Sequence, residues 1–196
     1  GLAPQRLGRR RVLHAEQRTL FASTGLTLYA STDAGMTFDE VGALPRAALR
    51  DALSRSSLVS RLLREGFHCL APISREEVVG AVRGAIVHKP PEGAEFEIVH
   101  RLGRGSRPLN LCRAASGRLY FGEYFANPAR DEVHVYGSDD GRHWGVVHTF
   151  APGRIRHVHG IHRDPHRGGL WVLTGDRDHE SGLWWTADEF RTLEPV

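Results

Sequence analysis

The sequence predicts an all-β fold in which one four-stranded antiparallel unit recurs about four times. Three observations carry that expectation. A turn motif, Ser-x-Asp-x-Gly-x-Thr-aromatic, stands in full at Ser31, Asp33, Gly35, Thr37 and Phe38, and weaker copies follow it downstream. Counted at the Asp position through 33, 91, 139 and 188, the copies are 58, 48 and 49 residues apart. Each interval holds four short apolar-rich runs bounded by Gly, Asp, Asn and Ser, which read as strands and tight turns. A period near 50 with four strands per repeat describes the blades of a β-propeller.

The elements follow in order. The first blade, about 9–44, reads VLHAEQ, TLFAST, TLYAST and TFDEVGAL; the second, about 66–101, reads FHCLAPI, EEVVGAVR, GAIVHK and FEIVHRL. The third, about 107–150, reads LNLCRA, RLYFGEYF, EVHVYGS and GVVHTF. The fourth, about 156–196, reads HVHGIHRD, LWVLTGD, SGLWWTA and TLEPV. The second strands are nearly continuous in apolar residues, which predicts cover on both faces. One stretch breaks the plan. Residues 45–66 place Pro45 where a helix starts and Gly66 where one ends, with Leu49, Leu53, Leu58 and Leu62 on a loose stripe, and predict a short helical insertion, kinked or in two pieces.

The turn motif has a structural logic. Asp accepts hydrogen bonds from nearby backbone N–H groups, Gly takes a positive φ at no steric cost, and the aromatic anchors the next strand. Ser31, Asp33, Gly35 and Phe38 fill these roles in the first copy. Asp139, Gly141 and Trp144 match in the third, where Ser138 is displaced by one place. The fourth keeps Asp188 and Thr192; the second keeps only Gly93 and Phe96, with Pro91 where Asp would stand. These residues are expected to hold turns, not to perform chemistry.

Bulk properties narrow the function classes. At 196 residues, with 40% hydrophobic and 25% charged, the composition is that of a soluble globular protein. No run approaches 18 apolar residues, so no membrane span is expected. The net charge is only +3, and the arginine clusters at Arg9–Arg11 and at Arg101, Arg104 and Arg107 make no long basic face, so nucleic acid is not an expected partner. Cys69 and Cys112 fall inside strands without metal-site spacing and read as two buried thiols. The chain opens with Gly-Leu rather than Met, and a piece of a longer protein is expected. No leader pattern is visible, so a cytoplasmic location is the default expectation.

The turn motif resembles the Asp-box, or BNR, repeat of sialidase-like β-propellers. The run from Leu119 to Asp176 is similar to uncharacterised BNR-repeat proteins of glycosyl-hydrolase-like type. The resemblance covers nearly the whole chain and implies six or seven blades. The four blades present would then belong to a larger ring whose remaining blades complete the site; a closed four-bladed ring is the alternative. It also implies either hydrolysis or non-catalytic binding, because such propellers host both. True sialidases carry an Arg-Ile-Pro motif and three carboxylate-clamping arginines. No Arg-Ile-Pro occurs here, which argues against classical sialidase activity.

The innermost strands of a propeller line its channel. Aligning them pairs Arg107 with Arg156 and Asn110 with His159, each 49 residues apart, and places His68 equivalently in the second blade. His68, Asn110 and His159 are therefore expected to face one another, with Arg107 and Arg156 entering the same mouth. His157 shares a strand face with His159, whereas His162 points oppositely. Gly-Glu123 and Gly-Asp176 close the second strands of the last two blades, and Tyr124 adjoins Glu123 where it could stack on a sugar ring. Imidazoles, Asn and a carboxylate around one cavity could ligate a divalent metal. Alternatively, Glu123 and Asp176 could act as acid and base on a glycan, with the arginines binding an acidic sugar. A third reading leaves the channel polar and water-filled. The functional expectation is a glycan or similar polar ligand at the channel mouth, the alternative being a non-catalytic scaffold for a protein partner.

Overall fold

The computed structural model describes residues 10–47, 66–177 and 180–196. Among them, sixteen strands form four separate four-stranded antiparallel sheets. The first contains β1 (Arg11–Glu16), β2 (Thr19–Thr24), β3 (Thr27–Ser31) and β4 (Asp39–Ala43). The second contains β5 (Cys69–Pro72), β6 (Val78–Val82), β7 (Ala85–Lys89) and β8 (Glu97–Arg101). The third contains β9 (Cys112–Arg113), β10 (Leu119–Gly122), β11 (Val133–Ser138) and β12 (Gly145–Phe150). The fourth contains β13 (Val158–Arg163), β14 (Leu170–Thr174), β15 (Gly182–Thr186) and β16 (Glu194–Pro195). In every sheet the strands lie in sequence order, so each is a simple meander and a propeller blade. The helical insertion read at 45–66 falls on residues 48–65, outside the described residues.

Three apolar cores bind the blades in succession. Phe21, Leu28 and Ala30 of the first blade meet Val78, Val82 and Val87 of the second. The opposite face of the second blade, with Val79, Ala81 and Ile86, meets Leu119 and Phe121 of the third. Tyr120, Val133 and Val135 then meet Ile161, Leu170 and Val172 of the fourth. Blades two and three are thus buried on both faces, which is why β6 and β10 read as continuous apolar runs. Among the described residues no such core joins blade four to blade one. The far face of blade four carries the cross-strand pairs Trp171–Trp185 and Leu173–Leu183, with the two leucines 38% and 41% exposed.

Close approach between blades depends on glycine at one place above all. A Cβ on Gly122 would lie 2.4 Å from Val158 Cβ, so the third blade can seat against β13 only with glycine there.

The tied turns take the expected form. Asp33 accepts from the N–H groups of Met36 and Thr37, both at 2.9 Å, and from the Thr37 hydroxyl at 2.7 Å, while Ser31 Oγ accepts from Gly35 N–H at 2.8 Å. The copy at Thr186 repeats this pattern: Asp188 accepts from Thr192 N–H and hydroxyl, and Thr186 Oγ1 accepts from Phe190 N–H. Phe190 stands where Gly35 does and adopts φ 74° there, against 90° for the glycine. It holds that conformation because its ring is buried against Tyr120.

The third copy requires a correction. Asp140, not Asp139, ties the turn: it accepts from Arg142 and His143 N–H at 2.8 Å each, and Ser138 Oγ accepts from Gly141 N–H at 2.9 Å. Asp139 pairs with Arg118 at 2.6 Å. The missing residue lies between Asp and Gly, so the serine keeps its normal spacing to Asp140 and is not displaced. Trp144 packs on Phe121 at 5.1 Å between ring centres and anchors the next strand. The carboxyls of Asp33, Asp140 and Asp188 are held below the usual carboxylate range, chiefly by the backbone N–H groups of Thr37, His143 and Thr192.

Cys69 and Cys112 are free and buried, and burial pushes their thiols up to about 12 and about 11.

Candidate functional site

The innermost strands β1, β5, β9 and β13 lie side by side in that order. Their starting ends form one mouth of the channel and their finishing ends the other. The finishing ends enclose a cavity of about 520 Å³, to which His14, Glu16, Arg113 and Arg163 contribute charge and polarity. Sequence reasoning missed these residues. The signal was present: Arg113 and Arg163 end equivalent strands, but they are 50 residues apart and not 49. The extra residue is taken up by a bulge between Val158 and Gly160.

At the starting ends, the residues picked from the sequence divide among different partners. Arg107 donates to His68 Nδ1 at 2.8 Å, so that nitrogen carries no proton and His68 is neutral. Burial, then the charges of Arg107, Arg11 and Arg83, bring the His68 pKa down to about 4. Asn110 donates to the Ile161 carbonyl at 2.6 Å and accepts from the Ile161 N–H at 3.1 Å. Its amide imitates a neighbouring strand and is spent on holding β13. Arg156 turns to Glu180 at 3.7 Å, whose fully buried side chain is also held by Arg130 at 2.5 Å. No hydrogen bond, ion pair or ring contact joins His68, Asn110 and His159 among the described residues; the bulge takes His159 out of the register that equated it with Asn110.

Glu123 and Asp176 also part company. Arg104 grips both Glu123 oxygens, and His134 N–H donates to Oε2 at 2.8 Å. The space beside Glu123 is about 10 Å³, room for one water and not for a sugar. Arg104 was visible in the sequence only as one of three clustered arginines.

Four of the predicted residues do converge. His157 Nε2 lies 3.2 Å from His159 Nε2 and 3.2 Å from Asp176 Oδ2, and His159 Nε2 lies 3.1 Å from Asp176 Oδ1. The Tyr124 ring packs on His157 at 4.3 Å between centres and edges against His159 at 5.8 Å. Local chain geometry builds this group. His159 sits in the bulge of β13, and Gly175, at φ 110°, turns Asp176 back toward it; a Cβ on Gly175 would lie 2.2 Å from Ser181 Cα. His157 is buried, whereas the side chains of His159 and Asp176 are 36% and 38% exposed. Burial alone would raise the Asp176 pKa, but the adjacent imidazoles outweigh it and hold the carboxyl below its ordinary value. The group can present a carboxylate, two imidazole nitrogens and an aromatic face to a ligand from solvent.

Solved structures similar to this chain are β-propellers. A GH74 xyloglucanase from Xanthomonas campestris matches 96% of this chain and 29% of its own, at 17% identity and TM-score 0.62. YCF48 from Cyanidioschyzon merolae matches 100% of this chain and 61% of its own, at 10% identity and TM-score 0.59. YCF48 bound to D1 peptide matches 100% and 55%, at 18% identity and TM-score 0.52. At these identities the likeness is one of fold, and the chain spans less than two thirds of each relative. No protein-family profile and no curated protein matches the sequence. Among the described residues no helix is long and apolar enough to cross a membrane.

Proposed function

We propose that this chain is part of a propeller that binds a polar ligand of the glycan class at the mouth where the inner strands begin. The grouping of Tyr124 with His157, His159 and Asp176 carries the reading. A sugar ring sets its C–H face on an aromatic ring while its hydroxyls bond to a few convergent polar groups. The GH74 relative is a xyloglucanase, which is compatible with a glycan ligand here. The turns at Ser31, Ser138 and Thr186, each tied by an Asp two residues on, support membership of the Asp-box group. Binding is favoured over hydrolysis. A two-carboxylate mechanism needs both carboxyls beside the sugar, and Glu123 is held by Arg104 with room for one water.

The test is isothermal titration calorimetry of EDTA-treated protein with neutral and uronic-acid oligosaccharides. We expect saturable binding weakened at least tenfold in Tyr124→Ala. Absence of binding at millimolar oligosaccharide, or binding indifferent to that substitution, overturns the reading.

A second reading rests on the far face of blade four. Trp171, Leu173, Leu183 and Trp185 occupy positions that in blades two and three are covered by the following blade. A further blade of the same protein, or a protein partner, would bury them. YCF48, a similar propeller, has been solved with a peptide bound.

A further inference from the structure

We infer that His157, His159 and Asp176 form a binding site for a first-row dication of the zinc class. The three closest approaches among their ligand atoms are 3.2, 3.2 and 3.1 Å. Zinc bound at about 2.0–2.1 Å to tetrahedral ligands sets those ligands about 3.3 Å apart. The carboxylate meets His157 through Oδ2 and His159 through Oδ1, and one ligand atom from each of the three residues lies within 4.8 Å of the others, so a small turn of the carboxylate completes one face of such a tetrahedron.

The proton inventory points the same way. His157 Nδ1 lies 3.2 Å from the Phe125 carbonyl oxygen, which only an N–H can satisfy. Nδ1 thus carries a proton, and in the neutral ring Nε2 presents its lone pair to the cluster. A backbone carbonyl behind a histidine ligand is the usual arrangement for orienting it toward a metal. Across from that lone pair lies Asp176 Oδ2, while Asp176 Oδ1 and the Gly175 carbonyl oxygen contact His159 Nε2. With the His159 proton on Nδ1, Nε2 offers a second lone pair beside that of His157 and the carboxylate, and a cation satisfies the three together. Two imidazoles with one carboxylate suit zinc or its first-row neighbours and do not suit calcium or magnesium, which take oxygen ligands.

Three protein ligands leave a fourth position open. The exposure of His159 and Asp176, with Tyr124 alongside, places that position toward solvent. A metal here would offer a coordination site to water or to a ligand oxygen. The inference does not rest on the oligosaccharide reading, because metal uptake is measured without any oligosaccharide.

The experiment uses untagged protein stripped with EDTA and desalted, then titrated with zinc chloride by calorimetry, and with cobalt(II) followed by visible absorption. We expect one equivalent of zinc bound at micromolar affinity or better, with cobalt(II) giving the intense visible bands of a low-coordinate N/O site. His159→Ala and Asp176→Asn should each weaken uptake at least 100-fold while circular dichroism stays unchanged. His157 is buried against Tyr124 and its loss also removes packing, so the two exposed positions carry the test. No saturable uptake, or uptake that survives both substitutions undiminished, overturns the inference and leaves an imidazole–carboxylate hydrogen-bond cluster.

Discussion

Arg104 holds Glu123 through both carboxylate oxygens, at 3.1 and 2.5 Å, and the Glu123 side chain is only 6% exposed. Removing the guanidinium strands a buried charge. Arg104→Leu is expected to cost about 3–5 kcal/mol in guanidinium-induced unfolding. Glu123→Gln, if it folds, should leave oligosaccharide binding within a factor of two of the parent, because Glu123 serves the fold and not the ligand.

Asp139 and Asp140 are neighbours with different work. Asp140→Ala removes the acceptor of two backbone N–H groups and should destabilise by about 1 kcal/mol, since the turn is solvated. Asp139→Ala loses one exposed ion pair with Arg118 and should stay within about 0.5 kcal/mol of the parent. Equal effects in urea denaturation would contradict the assignment of the turn to Asp140.

Acid stability follows from the three tied carboxylates. Asp33, Asp140 and Asp188 titrate below the unfolded value of about 3.9. Their contribution is complete above that value and is lost as pH falls through the lower folded values. The melting temperature should therefore drop steeply below about pH 4, and the double variant D33N/D188N should flatten that acid limb. A pH series of thermal melts reads both.

His68 acts in a different window with the same sign of proton linkage. Its folded pKa is about 4, against about 6.5 unfolded. Between those values the unfolded chain binds a proton that the native chain refuses, so stability falls as pH drops through the window. The imidazole proton signals of His68 in NMR should titrate near pH 4. Arg107→Ala should move that midpoint upward, and His68→Gln should reduce the slope of stability against pH in the window.

Gly122 sets the distance between blades three and four. Gly122→Ala brings a methyl to 2.4 Å from Val158 Cβ and should cost about 1–3 kcal/mol through displacement of β13. Because β13 carries His159, the same variant should weaken zinc uptake more than Gly84→Ala, where a Cβ meets nothing within 4 Å.

By itself the sequence determined the all-β blade plan, because strand identity and turn chemistry are written locally. Alternation, apolar runs and an Asp, Ser or Thr at fixed spacing are sufficient to name β1 to β16 and two of the tied turns. It missed the shift from Asp139 to Asp140, since a one-residue deletion can be placed on either side of the Asp when only letters are compared. Asp176, His157, His159 and Tyr124 could be named in advance as candidates, but so could His68, Asn110, Arg107, Arg156 and Glu123. Tertiary structure alone decided among them. A bulge at His159 and the left-handed Gly175 aim three polar groups at one point, while Arg104, Ile161, Glu180 and Arg107 claim the others. Side-chain partners across blades are set by register and close packing, and neither is encoded within any single repeat.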